Sequence, residues 1–129
     1  MRKFVIIALA AIALAACQTQ PIYQPDHAVP PQAQSLPLER IEALIVEAGQ
    51  TRRWTFVHVG PGHLVATQQE PKYSADVDIF FSRDSYRLAY KSSNGLEEKD
   101  GVIHQHYNMW VRYLESDINL RLSNAPLIK

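Results

Sequence analysis

A single cysteine, Cys17, closes an apolar run that begins at Phe4. Arg2 and Lys3 precede the run, and Ala15 and Ala16 stand directly before the cysteine. A basic start, a short apolar core and small residues at its end make a secretory signal. The run covers residues 4–16, too short for a membrane-spanning helix, which needs roughly 20 residues. With no second cysteine an internal disulfide is impossible, so the folded part must be held by burial alone. Removing the first 16 of 129 residues leaves 113. That is enough for one small domain with one core.

Charge narrows the function classes. The chain has 13 basic and 13 acidic residues, and Arg2 and Lys3 leave with the leader. The remainder is slightly acidic. Such a balance argues against nucleic acid as a partner and gives no electrostatic pull toward anionic lipid.

Residues 18–37 read as a tether. Pro21, Pro25, Pro30, Pro31 and Pro37 fall within it, among Gln, Ser and Ala. Proline fixes φ and donates no backbone hydrogen bond, so regular helix or sheet is not expected there. Extended at about 3.1 Å per residue, it would reach on the order of 60 Å.

The single domain is expected over residues 38–129. Leu38, Ile41, Leu44, Ile45 and Ala48 lie on one helical stripe over residues 38–49. Ser35 or Pro37 is placed to start that helix, and Gly49 to end it. Four strands are expected next, at residues 54–59, 63–68, 73–81 and 85–91, joined by short turns. Ala75, Val77, Ile79 and Phe81 alternate with Asp76 and Asp78. Short links make this an antiparallel meander with one wet face. On that face Asp76 and Asp78 are expected opposite Arg87 and Lys91. A polar loop follows, and Asp100 is the expected N-cap of a helix over residues 102–120. Its stripe is Ile103, Tyr107, Trp110, Val111, Leu114 and Ile118. Both helices then pack on the apolar face of a four-stranded sheet, giving an α+β fold in the order α-β-β-β-β-α.

Two resemblances add to this reading. Leu14-Ala15-Ala16-Cys17 resembles the lipobox of bacterial lipoproteins, whose cysteine is lipidated and becomes the first residue of the mature protein. It implies a signal peptide over residues 1–16, a diacylglyceryl thioether on Cys17 and an acyl amide on the new N-terminus. Two or more acyl chains anchor stably where one does not. In enteric lipoproteins an Asp after the cysteine favours the inner membrane. Gln18 therefore implies the outer membrane, facing the periplasm. The second resemblance lies in Tyr86-Arg87-Leu88-Ala89-Tyr90 and in Ile103-His104-Gln105-His106-Tyr107-Asn108-Met109-Trp110. It is similar to a group of small, little-characterised proteobacterial lipoproteins with an Ile-His-x-x-Tyr-Asn-x-Trp helix motif. That resemblance covers about the last 75 residues, implies this fold and location, and implies no activity.

Candidate chemistry is sparse. His104 and His106 are two apart, so on a helix they project about 200° from each other and do not share a metal. His58 and His63 flank the turn Gly60-Pro61-Gly62 but lack a third ligand. No metal or cofactor is expected. His104 and Asn108 are neighbours on one helix face. With Tyr90 they make either a ligand pocket or a polar network capping the loop against the helix. Ser92, Ser93, His104 and Asp100 lack the nucleophile-elbow pattern of a hydrolase. Glu97, Glu98 and Asp100 lack a calcium-loop frame. Of Tyr107, Trp110 and Tyr113, only Tyr113 is expected exposed. The leading expectation is a non-enzymatic, membrane-anchored module that binds another envelope protein. Strands 54–59 and 85–91 are the places to look for an open edge. The alternative is a binder of a small ligand or cell-wall fragment, with a hydrolase third.

Overall fold

Strict alternation between apolar and polar residues organises the domain. The computed structural model describes residues 18–125, so the signal segment and Cys17 lie outside the described residues. In chain order the elements are β1 (Thr19–Pro21), β2 (Asp26–Ala28), α1 (Leu38–Gln50), β3 (Thr55–Gly60), β4 (His63–Gln69), β5 (Ser74–Phe81), β6 (Ser85–Asn94), β7 (Val102–His104) and α2 (Gln105–Ser123). In β5, Ala75, Val77, Ile79 and Phe81 are buried while the residues between them are not. Leu64 and Ala66 of β4 and Tyr86 and Leu88 of β6 continue that buried face. The sheet is antiparallel throughout, in the order β2-β6-β5-β4-β3.

Both helices contribute to one core with that face. Ile41, Leu44, Ile45 and Ala48 of α1 are buried, as are Tyr107, Trp110, Val111, Leu114 and Ile118 of α2. Burying each large apolar side chain contributes roughly 1.5–3 kcal/mol. The α+β class and the helix–meander–helix order therefore hold.

The expected four-stranded sheet has five strands, and a second sheet pairs β1 with β7. Two of the extra strands, β1 and β2, come from residues 18–37, so the expected boundary at residue 38 and the free tether are corrected. Thr19 pairs with His104 and Pro21 with Val102. Asp26 pairs with Arg87 and Ala28 with Ser85. Val29 and Ala33 are wholly buried. The prolines do not prevent this because each uses its carbonyl, the group proline retains. Pro25 O accepts from Leu88 N–H, and Pro30 and Pro31 open a turn closed by Ala33 and Gln34 N–H.

The helix start also differs. Residues 102–104 are strand, and the N-cap of α2 is His104, whose Nδ1 accepts from His106 N–H at 3.1 Å. Asp100 instead sits in the preceding turn with φ +53°. The reason is pairing: β1 lies antiparallel to Val102–His104, and the N–H groups of Val102 and His104 donate to Lys99 O and Leu96 O, so these backbone groups are taken before a helix can form there.

Candidate docking surface

Helices cover the inner face of the five-stranded sheet, and its outer face is built from side chains that the alternation turns outward. The turn at residues 82–85 sets Phe80 opposite Arg87 and Asp78 opposite Ala89, and a register shift between Asp76 and Val77 then places Asp76 opposite Ser92 rather than Lys91. The expected Asp–Arg and Asp–Lys pairs therefore do not form. Asp78 is paired with His63 at 2.7 Å. Asp76 accepts from the Thr67 hydroxyl at 2.6 Å and the Ser92 hydroxyl at 3.0 Å. The His63 ring stacks on Phe80 at 4.3 Å, and the Arg87 guanidinium lies 4.1 Å above the same ring. A cation over an aromatic face gains about 0.5–1 kcal/mol at an exposed site.

The outer face becomes apolar toward β3. Val57 lies opposite Val65, and Val57 and Val59 are 63 % and 55 % exposed. β3 is an edge strand. It carries neither lysine nor proline, two of the devices that keep sheet edges from pairing. His58 Nδ1 meets Glu42 Oε1 at 2.8 Å, tying the strand to α1. The other suspected edge is covered. β2 pairs with β6, and Tyr90 N–H donates to the Gln24 side chain at 3.0 Å.

Tyr90, His104 and Asn108 do not converge on a pocket. The Tyr90 hydroxyl pairs with Ser93 Oγ at 2.8 Å, and its ring meets Tyr107 edge-on. His104 caps α2. Asn108 is 2 % exposed and serves the N-terminal segment. Its Oδ1 accepts from Tyr23 N–H at 2.9 Å, and its Nδ2 donates to Pro21 O at 2.9 Å and Gln20 Oε1 at 3.1 Å. Ser92 and Ser93 are engaged by Asp76 and Tyr90, not by His104. Among the described residues no three His, Cys, Asp or Glu side chains are placed to hold a metal ion. Tyr113 is exposed, as expected, with the Arg52 guanidinium 4.4 Å above its ring.

A second group joins the N-terminal segment to the middle of α2. Glu115 accepts from the Tyr23 hydroxyl at 2.9 and 3.0 Å and meets His27 Nε2 in a short contact. Arg112 lies 4.0 Å above the Tyr23 ring. Partial burial and the Glu115 carboxylate both push the Tyr23 hydroxyl above its usual pKa. These partners are about ninety positions apart, so no local spacing announces them. No protein-family model matches the chain, and no curated protein is significantly similar to it.

Proposed function

We propose that this chain is a lipid-anchored lipoprotein of the bacterial cell envelope, acylated on Cys17 and facing the periplasm from the outer membrane. Its domain acts without catalysis as a docking module for another envelope protein. The observation that carries the docking role is the β3 edge, with Val57 and Val59 outward and no lysine or proline guarding the strand. An extended segment added there would gain main-chain hydrogen bonds from the edge and side-chain contacts from the two valines. The anchoring role rests on Leu14-Ala15-Ala16-Cys17.

The experiment is crosslinking in cells followed by capture of the lipidated protein. Cys17→Ser and the pair Val57→Lys, Val59→Lys are run beside it. A specific envelope partner, lost in the valine variant while the domain stays folded, supports the reading. Capture that ignores both variants, or no partner from an abundant folded domain, sinks it.

A further inference from the structure

Resting on acylation of Cys17, we infer that one end of the domain lies directly against the lipid headgroups: the end made by Lys72, Tyr73, Gln105, His106 and Met109. The partner is the bilayer surface, because the chain leaves the fold toward its anchor at this end. Gln18 immediately follows Cys17, and consecutive Cα atoms are about 3.8 Å apart. Gln18 O already accepts from Gln105 N–H at 2.8 Å, and Thr19 already pairs with His104. Gln18, the residue to which an anchored Cys17 is bonded, is thus already part of the fold. It holds the first turn of α2 within a residue of the acyl chains.

The strap cannot readily lengthen. Ile22 N–H donates to Gly101 O at 3.0 Å, and Asn108 binds Gln20, Pro21 and Tyr23. Releasing slack would break these bonds and leave the buried Asn108 amide unsatisfied.

Topology places the rest of this end. Gly95 packs so closely on Lys72 O and Tyr73 that a Cβ there would lie 2.4 Å from the carbonyl. The Tyr73 ring lies 5.0 Å from His106 and 5.7 Å from Trp110. Leu96 O accepts from His104 N–H. Met109 is 40 % exposed, beside an open groove of about 360 Å³ shared with Gln105, His106 and Arg112. Tyrosine and histidine rings with an exposed methionine suit the headgroup region, where amphipathic rings settle. Lys72 and Glu97 flank a neighbouring hollow, so contact does not depend on one sign of lipid charge.

The opposite end points away. β5 runs from Ser74 to Phe81, and at about 3.3 Å per residue its two ends are roughly 25 Å apart. The turns at residues 60–63 and 82–85 meet at its far end, where Phe81 N–H donates to Gly62 O.

The test uses the full lipidated protein in phosphatidylethanolamine–phosphatidylglycerol vesicles. Cys17 is acylated and therefore blocked, so a second cysteine takes a fluorophore alone. Met109→Cys, Gln105→Cys and Ser82→Cys are compared for quenching by headgroup-labelled lipid. The expected result is several-fold stronger quenching at 109 and 105 than at 82, reduced when Asn108→Ala loosens the strap. Equal quenching at all three positions overturns the inference, and Gln105→Cys decides if Met109→Cys fails to fold. The mass of the N-terminal peptide from the same vesicles separates the two readings. An acylated Cys17 with equal quenching refutes only the apposition, whereas an unacylated Cys17 refutes the anchor and the apposition together.

Discussion

Asn108 Oδ1 lies 2.9 Å from the backbone nitrogen of Tyr23, eighty-five positions earlier. One buried amide on the last helix thereby fixes the first described stretch of the chain. It replaces the water that would otherwise have to satisfy that N–H.

Asn108→Ala is expected to destabilise the domain by about 1–2 kcal/mol, because it removes three hydrogen bonds and strands a half-buried donor at Tyr23. Urea unfolding measures the loss. Hydrogen exchange should quicken first over residues 18–28. A variant as stable as the parent, with unchanged exchange there, would show that the amide holds nothing.

Capping gives a smaller effect at His104. His104→Ala should cost about 1 kcal/mol, as loss of an N-cap does, while His104→Asp should keep most of that stability. Thermal unfolding of the two variants decides. Equal losses in both would mean that the imidazole contributes by packing alone.

Tyr107 predicts the opposite sign. Its hydroxyl is buried and finds no hydrogen-bond partner among the described residues. Removing an unsatisfied buried hydroxyl relieves its desolvation, so Tyr107→Phe should stabilise the domain by about 1 kcal/mol at neutral pH. Burial, the largest cause, also raises the phenol's pKa well above 10.0. A pKa raised in the folded state contributes stability that is complete below the unfolded value and is lost as pH rises past it. The parent should therefore weaken steadily above about pH 10, and Tyr107→Phe should weaken less. Tyr86, raised mainly by burial, adds to the same alkaline limb. Equal slopes for parent and variant in urea titrations at neutral and alkaline pH would refute the assignment.

Gly49 sets propensity against packing. Alanine is favoured over glycine in a helix by up to about 1 kcal/mol. A Cβ at Gly49 would lie 2.2 Å from Phe56 Cζ, however, and overpacking costs about 1–3 kcal/mol. Gly49→Ala should therefore destabilise, and Phe56→Leu in the same chain should recover part of the loss. A double-mutant cycle measures that coupling, and strict additivity would remove the clash as the cause.

Periodicity made most of the core legible. The stripe from Ile103 to Ile118 and the alternation from Ala75 to Phe81 name buried residues directly, because one face of each element must leave water. The candidate site was legible only at the edge formed by residues 54–59. His104 and Asn108 sit on one helix face as their spacing requires, yet they serve different partners.

What the sequence by itself determined is the α+β class, the helix–meander–helix order and the expectation of a lipid anchor. These follow from local patterns of a few residues: a period near 3.6, a period of two, and a basic–apolar–small run ending in cysteine. Only the tertiary structure decided that residues 18–37 belong to the fold, that His104 rather than Asp100 caps α2, and that Asp78 pairs with His63. Each depends on contacts that spacing along the chain does not encode. Proline-rich residues look unfit for regular structure until a distant strand offers donors to their carbonyls, and the register shift beside Asp76 is set by pairing across the sheet.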